Sequence, residues 1–196
     1  MTWDEALLRL QAGNDRFVHG ESLHPYPDSA ARRRLRLAQH PIAAVLGCSD
    51  SQVPPELVFD QGLGSLFVVR MPGNVAAPIA LAALQYARCE LKVELVVVLG
   101  HQGCHAVQVA LEAQQAAVPP PECLEPIVRL IQPALGQGAL GSRAEAALEA
   151  AVEAHVRWVV RQISEAAAAT PSPGQRPTHI VGAVCQAATG LVRFLD

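Results

Sequence analysis

A chain of 196 residues with 51% hydrophobic residues suits one compact domain with a sizeable buried core, which excludes an intrinsically disordered protein. The net charge of -3 gives no electrostatic reason to expect nucleic acid or an anionic membrane as a partner. No apolar run approaches the roughly 20 residues that span a bilayer, and the acidic opening "MTWDEALLRL" is unlike a signal peptide. We therefore expect a cytoplasmic protein whose five cysteines stay reduced.

The first part of the chain is predicted to be a helical arm over about residues 1–38. Apolar residues recur at helical spacing over 2–18, and Thr2 followed by Glu5 predicts a capping box at the start of this helix. A proline-containing loop, "HPYPDS", and a short helix follow. That helix carries the dense basic run Arg32–Arg36, which is either a solvated helix face or a docking patch.

The rest of the chain alternates strand and helix patterns. Buried strands are predicted over 42–46, 65–70, 93–100 and 178–185. Helices are predicted over 76–90, 104–116, 122–131 and 143–168. This alternation predicts a single α/β domain over 1–196, with a mainly parallel central β-sheet flanked by helices.

Ligands of such sheets bind at the carboxyl ends of the strands, and two polar turns, "CSDSQ" and "HQGC", follow such ends. His101 and Cys104 stand three residues apart in the second turn, and Cys48 lies in the first. A zinc site with an open position uses three ligands of these types. The alternative is a buried cysteine that packs as a small hydrophobic residue, and this interpretation suits Cys89, Cys123 and Cys185 better.

Long motifs carry a resemblance to the β-class carbonic anhydrases. They are "LGCSDSQVPPELVFDQGLGSLFVVRMPGN" and "VVVLGHQGCHAV", with further similarity in "GNDRFVHG", "HVRWVV" and "VGAVCQAATG". The resemblance implies that Cys48, His101 and Cys104 hold Zn²⁺ and that zinc-bound hydroxide converts CO2 reversibly to bicarbonate. It implies a homodimer or a dimer-based oligomer, and it assigns Asp50 to the catalytic site. Three further residues match family positions around the zinc: Gln39, Phe67 and Tyr86.

Gln52 departs from the family pattern, in which an arginine two residues after the aspartate binds its carboxylate. A neutral amide cannot replace a bidentate charged pair. Asp50 is therefore expected either to become a fourth zinc ligand in a closed site or to find another partner, for which Arg70 is the candidate. His105, where the family has glycine, is either a proton shuttle or a solvated side chain.

Three functions remain open on this sequence. The first is a zinc carbonic anhydrase, weakened or shifted in pH dependence by Gln52. The second is a catalytically inactive zinc-binding homologue that acts as a binding or assembly subunit. The third is a hydrolase of carbonyl sulfide or carbon disulfide on the same scaffold.

Overall fold

One five-stranded sheet organises the chain in the computed structural model, which describes residues 1–23, 29–36, 38–116, 119–136, 144–171 and 176–195. The strands are β1 (Ala43–Cys48), β2 (Leu66–Met71), β3 (Leu95–His101), β4 (His179–Cys185) and β5 (Val192–Leu195). The helices are α1 (Trp3–His19), α2 (Ser29–Leu35), α3 (Pro55–Val58), α4 (Pro78–Cys89), α5 (His105–Ala116), α6 (Glu125–Ile131) and α7 (Ala144–Ala169). Short 3-10 turns cover Pro72–Asn74 and Gln132–Ala134.

The strand order is β2-β1-β3-β4-β5. The first four strands of this order are parallel, and β5 pairs antiparallel with β4. Every residue of β1 and β3 is buried, as expected for central strands that are covered on both faces. The predicted α/β class and mainly parallel sheet are confirmed, together with the four predicted strands and the predicted helices.

The register of the central strands brings the carboxyl ends of β1, β2 and β3 close together. Gly47 of β1 pairs with Leu99 of β3, so Cys48 and His101 leave adjacent strands at the same edge. On the other side of β1, Cys48 pairs with Met71, the last residue of β2. The two polar turns identified in the sequence therefore meet at one place.

Helix α1 is fixed to the rest of the same chain by buried polar contacts. The predicted capping box of Thr2 and Glu5 is present. The Asn14 side-chain amide donates to the carbonyl oxygens of Val58 and Gly190 and accepts from the N–H of Val192. The neighbouring Gly13 faces the backbone of Phe59 so closely that a Cβ would lie 1.9 Å from its oxygen. The first predicted helix thus packs on its own sheet.

Several features differ from the expectations. Helix α3 and strand β5 were not predicted, because each is only four residues long and carries too few positions for a periodic pattern. The prediction that Cys123 packs as a buried hydrophobic residue was wrong: it is exposed in the turn before α6, whereas Cys185 is buried. The loop residues 24–28 lie outside the described residues.

The arginine-bearing helix corresponds to α2, where the side chains of Arg32 and Arg33 are exposed, and Arg36 is exposed in the turn that follows. No helix within the described ranges is both long enough and apolar enough to cross a membrane.

Candidate metal centre

Three ligand-type side chains converge at the carboxyl edge of the sheet. The ligand atoms of Cys48, His101 and Cys104 all lie within 4.8 Å of one another, and all three residues are buried. The sulfur atoms of the two cysteines are 3.9 Å apart. This arrangement can hold one metal ion between two sulfurs and one imidazole nitrogen.

The strand ends and one tight turn bring these groups together. Cys48 and His101 are the last residues of β1 and β3. Gly103 then adopts a left-handed conformation with φ of 67°, which favours glycine, and the chain turns back before α5 begins at His105. Cys104 is thereby directed at the same point as His101.

The two nitrogens of His101 have different surroundings. Nδ1 lies 2.9 Å from the carbonyl oxygen of Gln102 and donates to it. Nε2 is buried and has no hydrogen-bond partner within the described part of the chain. A backbone bond on one nitrogen that leaves the other free to coordinate is typical of metal-ligating histidines. Because the donor set is also one that zinc prefers, the residues fit a zinc ion.

The electrostatics of the group also suit a cation. A hydrogen bond from Cys104 lowers the pKa of the Cys48 thiol to about 4 against the opposing effect of burial. The same hydrogen bond, together with burial, raises the pKa of Cys104 far above its ordinary value. Burial opposes the charge on His101, but the interaction with the nearby Cys48 sulfur and its negative charge raises the pKa of His101 overall. Cys104 and His101 thus hold protons around the buried sulfur anion of Cys48, and a metal ion that binds there displaces such protons.

Asp50 lies beside this group but does not belong to it. Its side chain is half-buried, and one carboxylate oxygen accepts the backbone N–H of Gln52 at 3.0 Å. The side chain of Gln52 is exposed. Residue 52 therefore holds the Asp50 carboxylate through its main-chain N–H, whereas the arginine of the family pattern at this position does so through its guanidinium.

Arg70 does not replace the missing arginine. Its Nε donates to the carbonyl oxygen of Cys48 at 2.8 Å, and its Nη2 donates to the carbonyl oxygen of Asp50. Both bonds reach the main chain of the turn, and neither reaches the Asp50 carboxylate. The expectation that Arg70 could pair with this carboxylate was wrong because the guanidinium is already engaged.

A single chain does not bring Gln39, Phe67 and Tyr86 to the three ligand-type residues. Phe67 pairs with Ala44, whereas Met71 pairs with Cys48. Phe67 therefore lies four residues, or about 13 Å along the strand, from the level of Cys48. The Tyr86 ring lies 6.1 Å from that of Phe67, and its residue is 47% exposed. Gln39 is exposed just before β1. The roles of these three residues near the metal stay predictions.

His105 is exposed in the first turn of α5. Cys185 ends β4 and pairs with His101 in the sheet. Burial raises the pKa of Cys185 to about 11, which keeps it a neutral thiol. It behaves as the small packed residue that the sequence indicated.

Two further contacts to Cys48 were not anticipated. The backbone N–H groups of Asp50 and Gly73 lie 3.4 and 3.3 Å from its sulfur. The carbonyl of Gly73 in turn contacts the buried His155 of α7 at 2.7 Å. The sequence "PGN" was the available signal for the turn, in which Gly73 adopts a left-handed φ of 65°. Nothing in the local sequence pointed to His155.

Comparison with known proteins agrees with the motifs. The sequence model of the carbonic anhydrase family matches residues 43–192, more than half of the chain. A carbonic anhydrase of Mycolicibacterium smegmatis is 44% identical over 126 residues, which are 64% of this chain and 61% of that protein. The alignment thus spans about three fifths of the curated relative.

Solved structures share the fold. A β-carbonic anhydrase of Coccomyxa in complex with acetazolamide has a TM-score of 0.74 at 26% identity, with 86% of this chain and 78% of that chain covered. A tetrameric β-carbonic anhydrase of Sordaria macrospora has a TM-score of 0.73 at 19% identity, with 98% of both chains covered. With the family match over the sheet and both polar turns, these similarities show that the chain belongs to the β-carbonic anhydrase family.

Proposed function

We propose that this chain is a zinc-dependent carbonic anhydrase that interconverts CO2 and bicarbonate. The observation that carries the proposal is the buried group of Cys48, His101 and Cys104, whose ligand atoms lie within 4.8 Å of one another beside the half-buried Asp50. Zinc, when bound by three protein ligands, acidifies water so that a nucleophile forms near neutral pH. The residues of the chain then have to hold the metal, orient the water and keep the pocket dry.

The position of Asp50 supports a site that can open. Its carboxylate accepts the N–H of Gln52 and stands outside the group of three ligand-type residues. In that position the second carboxylate oxygen would be available to accept a hydrogen bond from a water molecule that the metal would hold. The tether is one hydrogen bond from an uncharged donor, which is weaker and geometrically looser than a bidentate pair with arginine. We therefore expect activity that is present but reduced.

The reducing cytoplasm suits this site, because zinc binding needs both thiols free. Cys48 and Cys104 are unbridged, with sulfur atoms 3.9 Å apart.

The exposed residues beside the edge strand β2 support pairing with a second copy of the chain, because strand edges and apolar helix faces are the surfaces that subunits cover.

Stopped-flow CO2 hydration tests the proposal directly. The zinc-loaded protein should hydrate CO2 faster than the same protein after removal of zinc by a chelator, from neutral to alkaline pH. A zinc-loaded protein with no hydration above the uncatalysed rate would indicate the inactive subunit. Turnover of carbonyl sulfide in place of CO2 would indicate the hydrolase.

The ligand set is tested separately by metal content. Cys104→Ser should lose most of the bound zinc, because a serine hydroxyl is a poor zinc ligand beside a thiolate. Cys123→Ser is the matched control, since Cys123 is exposed and outside the group, and it should keep its zinc. Equal zinc content in both variants, measured by elemental analysis, would contradict the proposed ligands.

A further inference from the structure

The Cys48 sulfur is held by two backbone donors from different segments. One is the N–H of Asp50, in the turn after β1, at 3.4 Å. The other is the N–H of Gly73, in the 3-10 turn after β2, at 3.3 Å. Hydrogen bonds of this kind draw charge from a thiolate, so groups that orient the donors also tune a metal bound to the sulfur.

Arg70 fixes the first of these segments. The turn leaves the sheet after Ser49, whose N–H donates to the Met71 carbonyl oxygen. The Arg70 guanidinium then donates to the carbonyl oxygens of Cys48 and Asp50, two residues apart. Because the guanidinium is a rigid planar fork, two bonds to one turn fix its orientation, and with it the direction of the Asp50 N–H.

His155 fixes the second segment from the opposite side. Its Nε2 donates to the Gly73 carbonyl oxygen at 2.7 Å, and its side chain lies in the core at 1% exposure. Gly73 has little freedom of its own, since a Cβ there would lie 2.9 Å from Ile131 and 3.2 Å from Ala106. The N–H of Gly73 is thus held toward Cys48 by packing below it and by His155.

We propose that Arg70 and His155 are positioning residues for the Cys48 sulfur, which they serve by aligning the two N–H groups that hydrogen-bond to it. Neither residue contacts the metal position directly. They set how much charge the thiolate retains for the metal, and hence the affinity and electronic character of the site. This inference rests on the proposed metal site, but not on CO2 hydration.

Cobalt substitution measures this role without any activity assay. The Co²⁺ protein should show thiolate-to-metal charge transfer, a band that reports on the charge at sulfur. Arg70→Met and His155→Leu each remove a donor side chain, so they should shift this band and weaken zinc binding by about 10- to 100-fold. His155→Gln, which keeps a donor near the position of Nε2, should restore most of the zinc affinity lost in His155→Leu.

Arg88→Met is the control for a general loss of stability. Arg88 is also buried, but its side chain binds Thr178 and Gln85 near the opposite, amino-terminal end of β4. It should lower stability and leave the cobalt spectrum and zinc affinity unchanged. If His155→Leu does not fold, Arg70→Met still decides, because Arg70 is half-exposed on an edge strand.

The outcomes separate two failures. A wild-type protein that shows no thiolate band with Co²⁺ would overturn the metal site itself. A wild-type band with unchanged spectra and zinc affinities in Arg70→Met and His155→Leu would overturn the positioning role alone. The same losses in Arg88→Met would also overturn it, because they would follow from instability.

Discussion

Gln52 stands two residues after Asp50, with its side chain exposed and its backbone N–H on the Asp50 carboxylate. The residue therefore still contributes to the site, although through its main chain. Any residue except proline supplies this N–H, so the side chain at position 52 is free to be changed without loss of the existing contact. Substitutions at position 52 therefore test whether activity depends on an additional bond to the Asp50 carboxylate, because they leave the main-chain bond in place.

Gln52→Arg should raise CO2 hydration. A guanidinium at this position can add a charged bond to the Asp50 carboxylate, and such bonds contribute roughly 1.5–3 kcal/mol. Such a bond raises the population of correctly oriented Asp50, and about 1.4 kcal/mol is a factor of ten in a population ratio, so we expect kcat/KM to rise by up to about tenfold. Stopped-flow measurement beside Gln52→Lys, which adds charge without the bidentate geometry, gives the comparison. An arginine variant no faster than wild type would show that the backbone tether is sufficient.

At the scale of single elements, the parallel strands made much of the site predictable. The carboxyl ends of adjacent parallel strands meet at one edge, so Cys48 and the H-x-x-C pair could be expected to lie close together. The contact between His155 and Gly73 could not, because it joins residues 82 positions apart and depends on how α7 packs across the sheet. The direction of the Arg70 guanidinium could not be predicted either, since a strand pattern indicates the face of the sheet on which a side chain lies but not its hydrogen-bond partner.

His155 joins α7 to the turn after β2, and the burial of its imidazole should make stability depend on pH. Burial lowers the pKa of His155 from 6.5 to about 4, more than the Gly73 hydrogen bond and the charge of Cys48 raise it. Between these values the unfolded chain binds a proton that the folded chain does not, so stability falls as pH falls from about 6.5 to about 4. The loss between pH 7 and pH 5 should be about 2 kcal/mol.

Urea unfolding of the zinc-loaded protein at the two pH values measures this effect. His155→Gln has no titrating group at this position, so its stability should fall by about 2 kcal/mol less than that of wild type over the same interval. The metal ligands titrate in both proteins and cancel in the comparison. Identical pH dependence in the two proteins would show that His155 does not stay neutral in the fold.

The packing of α1 on its own chain can be tested at Gly13. An alanine normally stabilises a helix relative to glycine by about 1 kcal/mol. Here its Cβ would lie 1.9 Å from the Phe59 oxygen, so Gly13→Ala should instead reduce the free energy of unfolding by about 1–3 kcal/mol. Ala12→Gly, at the exposed neighbouring position, should cost only about 1 kcal/mol through helix propensity. Urea unfolding compares both; a more stable Gly13→Ala variant would mean that α1 does not pack here.

At the scale of the whole molecule, the edge of the sheet beside α4 is the surface that suits a second copy. All residues of β2 are only partly buried, although the strand belongs to the core sheet. Ile79 and Tyr86 stand seven residues apart on one face of α4 and are 72% and 47% exposed. Tyr86 packs beside Phe67 of β2, so the apolar surface continues from the helix to the strand.

Ile79→Glu should therefore convert a dimer into monomers, because an unpaired carboxylate in an apolar interface is costly to bury. Light scattering after size-exclusion chromatography should show the molar mass fall by half. Leu191→Glu changes a leucine between β4 and β5 that is 44% exposed, at the opposite edge of the sheet from β2, and should leave the mass unchanged. Zinc content should survive in the Ile79→Glu monomer, since Cys48, His101 and Cys104 belong to one chain. CO2 hydration should fall with dissociation on the prediction that Gln39, Phe67 and Tyr86 act near the metal, because one chain leaves them away from the metal group and a second copy would then have to supply them. A wild-type monomer with full hydration would contradict both the pairing and the predicted roles of these three residues.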